Sequence, residues 1–181
     1  DRLVFMDEQG ILFGEEYTLV ACADYVLQSE KGALVSNLSS SRALADLAND
    51  CGVDYHASAV GEVHVVAKMK EVNAVIGGEG NGGVILPALH YGRDALVGIA
   101  LFLSHLAKEK ISVSALKARY ASYVMDKKKI ELSPSWDADA LLAAVAKTFA
   151  DARVTTIDGV KIDFVDSWIH LRKSNTEPII R

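Results

Sequence analysis

Between residues 15 and 108 the chain alternates short apolar runs with stretches of helical periodicity, and this alternation restricts it to a layered α/β architecture with a largely parallel or mixed sheet. Residues 15–27 predict a helix opened by Glu15 and Glu16, where acidic groups meet the positive end of the helix dipole. A short strand is expected at 33–36. A helix follows at 41–51, with Ser41 as its cap and Gly52 at its end. A strand at 55–60, a helix at 62–71, a buried strand at 74–76 and a strand at 84–87 continue the rhythm. A helix at 92–108 closes it, with Leu96, Ile99, Leu103 and Leu106 along one side. Residues 3–6 read as a strand end.

The composition shifts at 109–114, and beyond it the pattern changes. Residues 116–123 form a last helix or connection, and Lys127-Lys128-Lys129 reads as a solvated edge. Asp137 begins a helix to 149. Residues 154–157 and 160–165 flank Asp158-Gly159 as a hairpin with a type I′ turn. Residues 168–171 form a further strand. One helix with a small antiparallel sheet makes this part an α+β domain.

A chain of 181 residues, half of them hydrophobic, can bury a substantial core. Its net charge of −5 argues against nucleic acid as a partner, because backbone phosphates require a basic face. Cys22 and Cys51 lie in apolar helical stretches without metal-ligand spacing, as expected of thiols in a reducing cytoplasm. The apolar stretch at 95–103 is too short to span a bilayer, so no membrane partner is expected. His56, His64, His90, His105 and His170 lack close ligand spacing; His105 and His170 read as structural. Ser39-Ser40-Ser41 has no His/Asp partner pattern to make a nucleophile.

Two segments concentrate polar chemistry. Gly78-x-Gly80-x-x-Gly83 spells a dinucleotide fingerprint, but that motif needs a helix after the glycines and an acid about 20 residues on. A strand follows instead, and Glu79 would oppose a pyrophosphate. A carboxylate between glycines suits sugar hydroxyls better, with Asn81 supplying a donor and an acceptor. The second segment is Arg172-Lys173-Ser174-Asn175-Thr176-Glu177-Pro178-Ile179-Ile180-Arg181. Its guanidinium groups, hydroxyls and amide suit a phosphate dianion.

This final stretch resembles the phosphate-binding loop, Arg-x-Ser-Asn-Thr-Glu-Pro, of the α-D-phosphohexomutases, the phosphoglucomutase and phosphomannomutase family. Gly78 to Gly83 resembles the family's sugar loop, Gly-Glu-x-Ser-Gly-His, with Asn81 in place of serine and Gly83 in place of histidine. Gly61-Glu62 resembles another element near the sugar, and Asp1-Arg2 the end of a metal loop, Asp-x-Asp-x-Asp-Arg. The resemblance implies a C-terminal fragment. Residues 1–12 would be the tail of a metal-binding domain, 13–112 an α/β sugar-recognition domain, and 113–181 a connection and an α+β phosphate-binding domain, TATA-binding-protein-like in the family.

The implied activity of the parent is interconversion of hexose 1- and 6-phosphates of glucose or mannose through a phosphoserine and a hexose 1,6-bisphosphate. The implied roles are Arg2 beside the transferred phosphoryl group, and Glu79, Asn81, Gly61 and Glu62 on the sugar. Arg172, Ser174, Asn175, Thr176 and Arg181 would hold the phosphate, and Asp1 would be one ligand of Mg²⁺. The partners implied are a hexose phosphate and the N-terminal domains of the same chain, which carry the serine; the fragment alone is expected to be inactive. A phosphoglucosamine mutase, a non-catalytic sugar-phosphate-binding module and a purely structural fragment remain alternatives.

Overall fold

The computed structural model describes residues 1–133, 135–174 and 177–181. They form two compact units, Asp1–Val124 and Met125–Arg181.

In the first unit, strand β1 (Leu34–Asn37) lies between β2 (Tyr55–Ser58) and β3 (Ile76–Glu79), parallel to both. Strand β4 (Gly83–Ile85) returns antiparallel beside β3, so the sheet is mixed. Successive residues of a strand point to opposite faces. Leu34, Ile76 and Val84 pack with helices α1 (Glu15–Leu27), α2 (Ala43–Cys51) and α4 (Ala95–Glu109). Val35 and Ile85 pack with Val65 and Met69 of α3 (Glu62–Glu71) on the other face. Both faces are covered, which is why the strands carry little polar alternation. This is the layered α/β/α unit that the alternating pattern predicts, and α1 and α3 have the predicted bounds.

Five expectations are corrected here. Residues 3–6 form no strand: Met6 makes one isolated bridge to Leu12, and Phe5 stacks on Phe102 with ring centroids 3.7 Å apart. Helix α4 starts after Asp94, whose carboxylate accepts from the N–H groups of Leu96 and Val97. It buries Gly98, Phe102 and His105, while Leu96 and Leu103 are exposed. Residue 42, not Ser41, is the cap position of α2, although the Ser41 hydroxyl accepts from Ala43 N–H at 3.4 Å. Finally, α5 (Val113–Lys117) and the residues up to Val124 belong to the first unit, not to the second domain that the sequence places from 113. Leu116 is fully buried in the main core, and Tyr120 and Tyr123 pack against it.

The second unit pairs β6 (Arg153–Thr155), β7 (Val160–Asp163) and β8 (Trp168–Leu171) antiparallel in that order, and β5 (Ile130–Glu131) with β9 (Ile179–Ile180). Helix α6 (Ala138–Thr148) is capped by the Asp137 carboxylate and contributes Leu142 to a core with Val160, Ile162 and Ile180. The unit is α+β, as expected. The hairpin is not the tight type I′ form. Thr155 is opposite Lys161, and of Asp158 and Gly159 only the glycine, at φ 67°, is left-handed, where type I′ requires both.

Candidate functional site

The glycine segment is the end of a hairpin whose strands extend into it: Glu79 pairs with Gly83, leaving Gly80 to Gly82 as the turn. Gly80 N–H donates to the Ser40 hydroxyl at 3.1 Å. Gly82 has φ 86°, and a β-carbon there would stand 2.2 Å from the Leu3 carbonyl, so only glycine fits. Leu3 N–H in turn donates to the Gly82 carbonyl at 2.9 Å, and Thr18 donates to the Leu3 carbonyl at 3.1 Å. The chain carrying Arg2 and Asp1 is thereby pinned to the tip of the glycine hairpin. Both of those side chains are exposed.

Glu79 is not a solvent-facing loop residue. It is 4% exposed, and its two oxygens accept from Asn37 Nδ2 at 3.0 Å and Arg93 Nη1 at 3.2 Å. Glu62, which follows Gly61 at the start of α3, accepts from Arg93 twice: from the main-chain N–H at 3.0 Å and from Nε at 2.8 Å. The Arg93 N–H, and then its guanidinium, hold the Glu62 carboxyl below the usual carboxylate range. One guanidinium therefore bridges the two acidic residues expected at the sugar. Asn81 lies on the same hairpin, and its Oδ1 is buried without a hydrogen-bond donor.

Arg93 carries no motif signal and does not stand out in the sequence. It sits between Gly92 and the α4 cap, held because Asp94 N–H donates to the Val84 carbonyl at 2.9 Å and His90 Nε2 lies 3.0 Å from the Asp94 carboxylate. A cation just before a helix cap was the available hint, but its partners lie 31 and 14 residues away in sequence.

In the second unit, Arg172 and Arg181 exchange two main-chain hydrogen bonds of 2.8 Å, which set them side by side. Arg172 Nε lies 2.8 Å from Asp158 Oδ2, an ion pair whose direction is off the hydrogen-bond axis. Arg181 Nη2 donates to Glu177 at 3.0 Å. Ser174 is buried, and its N–H donates to the Ile179 carbonyl at 3.0 Å. A cleft of about 280 Å³ opens beside Ser174, Glu177 and Pro178, with Trp136 and Asp137 among its lining. Asn175 and Thr176, expected at the phosphate, lie outside the described residues.

Asp1 alone does not make a Mg²⁺ site, which needs several oxygen ligands. Among the described residues no group of three or more His, Cys, Asp or Glu side chains is arranged to hold a metal ion. His105 is a core residue, 0% exposed, with Nδ1 3.0 Å from the Ala21 carbonyl. Among the described residues no helix is long and apolar enough to cross a membrane.

A layered α/β/α unit with a glycine hairpin, followed by an α+β unit whose last loop carries paired arginines, has a direct counterpart among known proteins. The family model "Phosphoglucomutase/phosphomannomutase, alpha/beta/alpha domain III" matches residues 8–123, and the model of the same family's C-terminal domain matches residues 121–181. The chain belongs to the phosphoglucomutase/phosphomannomutase family.

Among curated relatives, a phosphoglucomutase/phosphomannomutase of Thermococcus kodakarensis is 36% identical over 100% of this chain and 40% of its own length. A phosphoglucosamine/phosphogalactosamine mutase of Sulfurisphaera tokodaii is 32% identical over 100% of this chain and 41% of its own. A crystal structure of a family protein from Burkholderia thailandensis superimposes with a TM-score of 0.80 at 26% identity, covering 99% of this chain and 39% of that one. The chain thus spans about 40% of the length of the curated relatives it matches.

Proposed function

We propose that this chain supplies the sugar-binding and distal-phosphate-binding parts of a phosphohexomutase. The whole enzyme would interconvert hexose 1-phosphate and hexose 6-phosphate through a phosphoserine and a hexose 1,6-bisphosphate. Such catalysis is mainly positioning and charge neutralisation. Glu79 and Asn81 orient the ring, Glu62 supports them after Gly61, and Arg172, Ser174, Asn175, Thr176 and Arg181 grip the phosphate that is not reacting. Arg2, held near the hairpin by Leu3, offsets the charge of the transferred group. Asp1 is proposed as one oxygen ligand of a Mg²⁺ whose other ligands lie in another domain.

The observation that carries this reading is the doubly bonded pair Arg172 and Arg181. It sets two arginines side by side on the main chain, at the two ends of the loop whose sequence matches the family's phosphate motif. The reading is tested by assaying the full-length protein containing this chain on glucose 1-phosphate and mannose 1-phosphate with catalytic hexose 1,6-bisphosphate. Phosphate-sugar binding without turnover would make it a binding module instead.

A second reading, a phosphoglucosamine mutase, is favoured by two features of the sugar loops. Glu62 and Glu79 share one guanidinium, so that cluster keeps a net negative charge, and Asn81 Oδ1 is a buried acceptor with no donor. An ammonium group on the sugar would meet both needs. Glucosamine 1-phosphate as the preferred substrate over glucose 1-phosphate, measured by kcat/KM, would select this reading.

A further inference from the structure

The space over Gly83 is occupied by Arg93. A β-carbon built on Gly83 would stand 2.6 Å from Arg93 Cδ and 3.2 Å from its Cγ, closer than packed carbons approach. Gly83 has no left-handed backbone to explain its identity, so the requirement is for room. In the sugar loop that this segment resembles, a histidine stands at that position. Here glycine stands there instead, and the stem of Arg93, just before the α4 cap, passes over it. The guanidinium it delivers reaches Glu79 at 3.2 Å and Glu62 at 2.8 Å.

We propose that Arg93, admitted by Gly83, is the positioning residue of the sugar site: it fixes the Glu79 carboxylate and ties the glycine hairpin to the start of α3 as one rigid unit. The inference rests on the reading that the hairpin faces the sugar. A carboxylate 4% exposed needs a counter-charge to remain where a ligand can use it. Asn37 provides one hydrogen bond but no charge. Arg93 provides both, and it reaches the two carboxylates from two different nitrogens of one rigid plane, Nε and Nη1, a span that the single nitrogen of a lysine does not reproduce. Each Glu79 oxygen accepts one hydrogen bond from these partners, so lone pairs remain for sugar hydroxyls.

The proposal treats Gly83 and Arg93 as a coupled pair, and that coupling is measurable. In the full-length protein containing this chain, Arg93→Ala, Gly83→Ala and the double variant are compared by steady-state kinetics on hexose 1-phosphates. Inhibition by inorganic phosphate and thermal melting are followed in parallel. Arg93→Ala is expected to lower kcat/KM about tenfold or more, while the inhibition constant for inorganic phosphate stays within about twofold, because the phosphate loop is built in the other unit. Gly83→Ala, which must displace the Arg93 stem, is expected to shift the same parameter in the same direction. The double variant is expected to be no worse than Arg93→Ala alone. Arg93→Lys should recover only part of the loss.

Additive losses, or unchanged kinetics for Arg93→Ala, would overturn the proposal. So would a loss in Arg93→Ala matched by an equal loss of phosphate inhibition, which would mark general damage. If Arg93→Ala does not fold, the Gly83→Ala and Arg93→Lys kinetics decide alone, and wild-type values in both would overturn it. If the parent turns over no hexose phosphate, the mutase reading fails separately. Calorimetric binding of glucose 6-phosphate then reads the same variants, and equal affinity across them, or no binding by the parent, would end the proposal as well.

Discussion

Arg93 Nη1 lies 3.2 Å from the Glu79 carboxylate, and this contact gives a buried carboxylate of the glycine hairpin its counter-charge. Strands β3 and β4 position Glu79, the α4 cap positions Arg93, and Glu62 anchors the guanidinium from the opposite side. The sheet and two helices therefore all contribute to the placement of one carboxylate.

Glu79→Gln is the first expected test of that carboxylate. The carboxamide is nearly the same size, but its NH₂ group must face either Asn37 Nδ2 or an Arg93 donor, leaving buried donors unmatched. An unsatisfied buried donor costs about 1–3 kcal/mol. The variant is therefore expected to melt at lower temperature than the parent and to lose turnover on hexose phosphates, with inorganic phosphate binding nearly intact. Thermal melts and kinetics on the same preparation check both. Unchanged kinetics on every hexose phosphate would remove Glu79 from the sugar site.

Much of the framework was legible because local signals determine it. Asp137 marks the start of α6 through the orphan N–H groups it accepts from, and Glu62 marks that of α3 as an acidic residue at the positive end of the helix dipole. Gly52, at φ 67°, ends α2 as the sequence suggests. The buried side of α4 is only partly legible: Leu106 packs on the core as expected, but the buried side also carries Gly98 and His105, which give no apolar signal. Leu96, Ile99 and Leu103 repeat with the same helical period as Gly98, Phe102 and His105, and only tertiary packing chooses between them. Arg93 was illegible for a related reason: an arginine in a polar turn has no periodicity, and its role exists only once α3, β3 and the α4 cap have assembled.

Residues 1–181 by themselves are expected to show no mutase turnover. The proposed reaction needs a phosphorylated serine and a metal site with several oxygen ligands, and among the described residues no metal-holding cluster is present. Contaminant-free protein assayed on glucose 1-phosphate with added hexose 1,6-bisphosphate checks this. Turnover above a buffer blank would mean that the catalytic groups lie within this chain.

His170 should couple the second unit to acid. Its Nε2–H donates to the Asp158 carbonyl at 2.7 Å, and burial holds its pKa below the ordinary 6.5. The unfolded chain therefore binds the proton first as pH falls through 6.5, so ν_U exceeds ν_N and stability declines until the folded residue also titrates. Above pH 6.5 the contribution is complete. Chemical denaturation at several pH values should show this decline, and His170→Gln should flatten it. NMR titration of the imidazole at or above pH 6.5 would contradict the assignment.

Arg172 is the sharpest test of the phosphate loop. Its Nε faces Asp158 at 2.8 Å, and its main chain is bonded twice to Arg181, so its backbone is fixed and its guanidinium has a charged neighbour before any ligand arrives. Hydrogen bonds to charged groups contribute about 1.5–3 kcal/mol each, so Arg172→Ala in the full-length protein should weaken hexose phosphate binding by about tenfold or more. Its effect on folding should be small, because a partly exposed ion pair contributes at most about 1 kcal/mol. Asp158→Asn separates orientation from charge. It leaves Arg172 in place but removes its carboxylate partner, and binding should fall less than in Arg172→Ala. Isothermal titration with glucose 6-phosphate, alongside thermal melts, measures all three proteins. If Arg172→Ala binds the sugar phosphate as tightly as the parent while melting normally, the loop is not the phosphate site. If Asp158→Asn instead matches Arg172→Ala, then the contribution of Arg172 depends wholly on how Asp158 holds it.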